Sequence, residues 1–220
     1  MAIAVIFAAG EGRRIASLTK GAPKALLEVD PDSATLLRRT IIGRLVGQFL
    51  SEPEIERVLI ICKRPKPFRE FIEKFPGLSR RVELCAVPLE ATWREQLVAL
   101  REAVGSKPFV AVAGDAVFRE STIRRAIAAT NSKRQFTAFF SFVKNDPMYR
   151  RRFGTDIWAS KGGLPEWVSG FTPGRWAELP KLLWQHRKEI GLRLAKSRLD
   201  ITTPVDFKRA ERLMKRKRFK

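Results

Sequence analysis

The chain opens Met1-Ala2-Ile3-Ala4-Val5-Ile6-Phe7-Ala8-Ala9-Gly10-Glu11-Gly12-Arg13-Arg14 and runs on to Thr19 and Pro23-Lys24. A continuous apolar run ahead of two spaced glycines reads as a strand covered on both faces, opening into a loop at its carboxyl end. Gly10 and Gly12 lack a Cβ, so the backbone between them can take positive φ and turn its N–H groups toward an anion. Arg14 can offer a planar fork to phosphate oxygens, and Lys24 a mobile point charge. Together these features suit the phosphates of a nucleotide. A Walker loop does not fit, because it requires Gly-x-x-x-x-Gly-Lys-Ser/Thr. The dinucleotide fingerprint fails as well, for want of a third glycine and of an acidic residue about 20 positions on. Taken alone, Gly-x-Gly is also what an ordinary strand-to-loop turn uses.

Outward from this segment the pattern alternates. Leu36, Leu37, Thr40, Ile41, Arg44, Leu45 and Gln48 follow helical spacing after Asp32-Ser33, which predicts a crossover helix from about 34 to 49. Arg57 to Cys62 is a continuous apolar run of the kind expected for a buried strand, Pro67 to Phe75 a short helix, and Val82 to Val87 another strand. Thr92 with Glu95 forms a capping-box signature, so a helix begins near Trp93. Phe109 to Ala113 is the next buried strand, ending at Gly114-Asp115; Ser121 can cap a helix through about Ala129, and Phe136 to Val143 reads as a strand. This order predicts an α/β fold with a mainly parallel, doubly wound sheet and right-handed crossovers. Ligands bind such sheets at the carboxyl ends of the strands, and Gly10, Gly12 and Asp115 all fall at predicted strand ends. The regular period is lost over 144–180, a stretch rich in Gly, Pro and aromatics. It is read as a small β-rich excursion or lid on the acceptor side of a single domain spanning 1–220. A helix over roughly 175–189, a last strand at Leu192 to Leu194, and a helix opened by Thr203-Pro204 complete the chain.

With 220 residues and 45% hydrophobic content, one α/β domain can bury a sizeable core. Forty-three Lys and Arg against 23 Asp and Glu give a net charge of +20. Such a field attracts polyanions, so nucleic acid is a conceivable partner, although the basic residues are dispersed as on any solvated surface. No apolar run approaches the roughly 20 residues that span a bilayer. The opening strand lacks the basic flank and cleavage site of a secretory signal, so a cytoplasmic location is expected. Cys62 and Cys85 sit in apolar segments without a Cys/His cluster, which points to buried free thiols rather than to a disulfide or zinc site.

Ala8-Ala9-Gly10-x-Gly12-x-Arg14, with Thr19 and Pro23-Lys24 following, resembles the signature of the sugar-1-phosphate nucleotidyltransferases. The resemblance implies a nucleotide-diphospho-sugar transferase-like fold and Mg²⁺-dependent transfer of a nucleoside monophosphate from a nucleoside triphosphate to a sugar or polyol phosphate, with release of pyrophosphate. It assigns nucleotide binding to Ala8, Ala9, Gly10, Glu11, Gly12, Arg13 and Thr92, and catalysis to Arg14 and Lys24. Asp115, in a Gly-Asp context after a central strand, and Asp200, ahead of Thr203-Pro204-Val205-Asp206, are the implied metal ligands. Two reactants that both carry phosphate bring several negative charges together, which a divalent cation neutralises and aligns. The chain departs from the family's pattern at Ala91, where a glycine is usual, and at Thr202, where many relatives are acidic. It also lacks the Glu-Lys-Pro motif that grips the sugar. Asn145-Asp146-Pro147-x-Tyr149 faintly resembles the family's acceptor stretch, and Trp158 and Trp167 could stack on a sugar or simply fill the core. Two other readings stand beside the enzyme: a non-catalytic nucleotide- or RNA-binding protein built on this fold, and a molybdopterin-type nucleotidyltransferase. The Arg14-to-Lys24 spacing favours the sugar-phosphate branch over the latter.

Overall fold

A computed structural model describes residues 1–10, 12–141, 154–165, 190–194, 198–200 and 204–215. Strand β1, Ala2–Phe7, is an interior strand of a seven-stranded sheet, with β2, Ile55–Cys62, on one side and β4, Phe109–Ala113, on the other. β3, Val82–Ala86, continues the sheet beyond β2, and β1, β2, β3 and β4 are mutually parallel. Past β4 the order is β7, Gly154–Ser160, then β6, Phe136–Ser141, then β8, Ile190–Leu194. β7 runs antiparallel to both its neighbours, whereas β6 and β8 pair in parallel. The mainly parallel, doubly wound sheet read from the alternating pattern is therefore the observed one.

The apolar run of β1 is unbroken because both of its faces are covered. Ala2, Ala4 and Ile6 point into one core with α2, Ile41–Leu50, α3, Pro65–Glu73, and α5, Glu120–Ala129. Ile3 and Val5 point into a second core with Leu97, Leu100 and Val104 of α4, Trp93–Val104. The period-two alternation of strand side chains makes this division compulsory. Large side chains such as Phe49, Phe68, Phe109 and Phe118 are fully enclosed, each contributing about 1.5–3 kcal/mol of burial. Helix α6, Pro204–Lys215, starts at the predicted proline, and its Ala210 joins the first core.

Three local readings change. The expected helix over 34–49 is broken: Leu36–Arg39 forms a 3₁₀ turn, Thr40 is extended with φ −93° and ψ 159°, and α2 starts at Ile41. The reason is a cap, since the Thr40 hydroxyl accepts the Gly43 N–H at 3.1 Å, and a cap residue must leave helical φ/ψ to do so. The helix assigned to a Ser121 cap starts one residue earlier, at Glu120 after Arg119. A small second sheet was not anticipated. In it β5, Ala116–Phe118, pairs antiparallel with β9, Arg198–Asp200. Three-residue strands carry no periodicity to read, and this pairing joins segments far apart in the chain. Gln48 of α2 fastens the same corner by donating its Nε2 hydrogen to Phe118 O at 3.2 Å.

Within 144–180, residues 154–160 belong to the central sheet as β7, while the Asn145 to Tyr149 stretch, Trp167 and the helix expected over 175–189 lie outside the described residues. No described helix is long and apolar enough to cross a membrane.

Candidate active site

Neighbouring parallel strands β1 and β4 were followed along the chain in opposite lateral directions, so their carboxyl ends leave a crevice between the departing loops. A cavity of about 580 Å³ lies there, lined from β1 and its loop by Phe7, Ala8, Ala9, Gly10, Gly12 and Arg14. Lys24, Gly114 and Asp115 add the polar end, and Lys63, Trp93, Gln96 and Trp158 the remaining walls. Its volume falls in the range of about 300–1,000 Å³ typical of small-molecule sites.

The loop is built for close approach at one glycine. Gly12 has φ +63°, and a Cβ placed on it would stand 3.3 Å from Lys24 Cβ. A side chain there would be strained in the left-handed region and would crowd the lysine. The expectation of positive φ thus applies to Gly12; Gly10 is not in that region, and a Cβ there would meet open space. Ala8 is held down by its N–H donating to Ile61 O at 2.8 Å. Arg14 follows on a short 3₁₀ turn that begins at Arg13, exposed and without an ion pair among the described residues. Glu11 and Thr202 lie outside the described residues.

Lys24 starts another 3₁₀ turn, Lys24–Leu26, after an extended Pro23, and the apolar Ala25 beside it is buried in the core. The Lys24 side chain is only 8% exposed, and its Nζ donates to Asp115 Oδ2 at 2.9 Å. An ammonium taken from water needs such a partner. Residues 91 positions apart in sequence, to which the resemblance assigns catalysis and metal binding, are thus in contact. Asp115 is held in register by its neighbour: Gly114 donates its N–H to Phe7 O at 2.9 Å. A Cβ on Gly114 would sit 2.8 Å from that same carbonyl oxygen. Gly114→Ala is expected to cost about 1–3 kcal/mol through this overlap and to displace Asp115. Chemical denaturation with a parallel activity assay checks it, and wild-type stability in the variant would refute the steric account.

Asp200 ends β9 and is the register partner of Ala116, the residue after Asp115. The two candidate metal ligands therefore lie close along the backbone, Asp115 in the turn that leads into β5 and Asp200 opposite the first residue of that strand. Among the described residues no group of three or more His, Cys, Asp or Glu could hold a metal ion. That donor count still suits Mg²⁺, which takes one or two carboxylates and completes its shell with substrate phosphates and water. The 41% exposure of the Asp115 side chain leaves it accessible from the cavity.

Thr92 caps α4 as the sequence pattern predicts. Its hydroxyl accepts the Glu95 N–H, and the Glu95 carboxylate accepts the Thr92 N–H. The backbone N–H of Thr92, and then its hydroxyl, hold the Glu95 carboxyl below its ordinary range. Thr92 is not among the cavity-lining residues; Trp93 and Gln96, behind it on the same helix, are. Ala91, at the position usually held by glycine, is buried in the core against α4.

Gln96 and Lys63 are lining residues that belong to no motif, and Trp93 figures in the sequence only as the end of the Glu90-Ala91-Thr92-Trp93 turn; the docking of α4 and the end of β2 bring all three to the cavity. Trp158 packs in an aromatic cluster, 5.6 Å from Trp93, 6.1 Å from Phe7 and 6.2 Å from Phe136 between ring centroids. It is 6% exposed, as the core reading expects, and it also lines the cavity. Cys62 and Cys85 are free. Burial, then the charge of Cys85, pushes the Cys62 thiol up to about 11, while Cys85 is part-exposed rather than buried.

The strand order and the flanking helices define an α/β fold like that of the nucleotide-diphospho-sugar transferases, with a cavity at the carboxyl edge of β1 and β4. Residues 4–159 match the family profile described as the MobA-like NTP transferase domain. The chain belongs to that family. Among solved structures it resembles one from Bacillus anthracis described as a glucose-1-phosphate thymidylyltransferase in complex with a sucrose, at 17% identity and a TM-score of 0.72, over 97% of this chain and 95% of that one. It also resembles the inositol-1-phosphate CTP transferase of T. maritima, at 16% identity and a TM-score of 0.67, over 98% and 95% of the two chains. Comparison with the curated proteins found no match.

Proposed function

We propose that this protein transfers a nucleoside monophosphate from a nucleoside triphosphate to a sugar or polyol phosphate and releases pyrophosphate. The observation that carries the reading is the buried Lys24 ammonium paired with Asp115 beside the Gly12 loop. A cation, a carboxylate and a phosphate-sized cradle lie in one crevice. An oxygen of the acceptor phosphate attacks the α-phosphorus of the triphosphate. The bond from that phosphorus to the bridging oxygen breaks, and pyrophosphate leaves with the electron pair. The loop amides and Arg14 bind the β and γ phosphates. Lys24 bears on the α-phosphate, where charge shifts in the transition state. Its ammonium has three donors, so it can keep Asp115 with one and offer the others to phosphate oxygens.

Asp115 and Asp200 would hold Mg²⁺, which when bound neutralises the phosphates and keeps them in line. The acceptor oxygen is already anionic, so no general base is needed, and rate acceleration comes from positioning and fixed charge. The named activities of the two solved relatives, a sugar phosphate in one and a polyol phosphate in the other, support an acceptor of this class. The net charge of +20 favours phosphorylated substrates and motivates the rival reading, nucleotide or RNA binding without turnover.

Incubation with each common triphosphate, Mg²⁺ and a panel of sugar and polyol phosphates, with molybdopterin as a further acceptor, is expected to release pyrophosphate with one combination. Release with molybdopterin alone would move the chain to the other branch. No release above a Lys24→Ala control, together with salt-sensitive RNA binding, would favour the non-catalytic reading.

A further inference from the structure

We propose that Trp93 and Gln96 form the wall of the cavity that reads the nucleotide base, Trp93 by stacking and Gln96 by hydrogen bonds to the polar edge. The inference rests on the reading of the cavity as a nucleotide site and deepens it. α4 starts at Trp93 and buries Leu97, Leu100 and Val104 against the sheet. Trp93 and Gln96 lie three residues apart, on neighbouring positions of one helix face. They belong to the first turns of the helix, which reach past the end of the sheet and line the cavity.

Gln96 flanks the apolar stripe, half-buried, and its side-chain amide has no hydrogen-bond partner among the described residues. A glutamine kept for helix stability would face solvent or fasten a neighbouring element, as Gln48 does on Phe118. Gln96 instead presents one donor group and one acceptor group to the cavity. Trp93 is half-buried, whereas Trp158 behind it is almost fully enclosed. Its ring is braced by Phe7 at 4.8 Å and Trp158 at 5.6 Å between centroids. Two aromatic supports fix the ring's plane and leave the remaining surface for a planar ligand. The polar groups that suit phosphate, Arg14, Lys24 and the loop, come from other elements. A triphosphate held there therefore has an aromatic surface and an amide within the same enclosure.

The test compares binding of ATP, GTP, CTP, UTP, dTTP and inorganic tripolyphosphate to the full-length wild type and to Gln96→Leu and Trp93→Leu, by calorimetry without an acceptor. The wild type is expected to bind one nucleotide at least about tenfold more tightly than the others, because a site amide left without its partner penalises the wrong base. Gln96→Leu should collapse that preference and leave tripolyphosphate binding unchanged, a pattern that merely structural damage would not produce. Trp93→Leu should weaken every nucleotide about 5- to 100-fold, again sparing tripolyphosphate. An unchanged preference in Gln96→Leu, or wild-type nucleotides binding no better than tripolyphosphate, overturns the inference while the phosphate site stands. Binding of neither nucleotides nor tripolyphosphate overturns the nucleotide reading as well.

Discussion

Lys24→Ala is expected to lower the rate of pyrophosphate release by about 10²–10³-fold, the loss seen when one preorganised charge-stabilising donor is removed from a site shielded from water. The side chain is 8% exposed and its ammonium lies 2.9 Å from Asp115, so its position is set before any substrate arrives. Such a group stabilises developing charge without reorganising. The fold should survive, because the abandoned Asp115 is 41% exposed and can be hydrated. Single-turnover measurement at saturating nucleotide separates chemistry from binding, and circular dichroism checks the fold. Lys24→Arg should also be impaired, because a planar guanidinium does not replace a compact ammonium in a buried pocket. Retention of more than about a third of the wild-type rate by the alanine variant would sink the assignment, being far less than the loss expected of such a donor.

Asp115→Ala is expected to abolish metal-stimulated turnover and to destabilise the protein as well. Removing the carboxylate leaves a buried ammonium without the partner it has here. Stranding one half of a fully buried pair costs about 3–5 kcal/mol; the partial exposure of Asp115 brings the expectation to about 1–3 kcal/mol. Asp115→Asn keeps the shape and an acceptor oxygen for Lys24 but removes the charge, so it should recover much of the stability and little of the activity. Urea melts and a Mg²⁺ titration of the rate, run on both variants, separate the two roles. Full activity of either variant would show that the carboxylate holds no metal needed for turnover.

These expectations differ in how far they were legible beforehand. The Gly12 loop, the Thr92 cap and the unbroken apolar strands are local matters, in which a few adjacent residues decide φ/ψ or a face, and they were readable from spacing. The break at Thr40 was hidden because Leu36, Leu37, Ile41 and Leu45 keep helical spacing across it. The competing hydrogen bond from Gly43 to the Thr40 hydroxyl is a choice that periodicity does not record. Asp200 was placed by resemblance, and its setting opposite Ala116 comes from a pairing of two three-residue strands across the chain.

Residue order along the chain thus settled the class of fold and the glycine-loop end of the crevice, because hydrophobic period, glycine position and helix caps are short-range causes. Folding in three dimensions brought Lys24 onto Asp115, carried Asp115 to the end of β1 through the Gly114 contact with Phe7, and turned Trp93 and Gln96 into the cavity. Those contacts join elements distant in sequence. They follow from how the helices dock on a twisted sheet, which no local spacing encodes.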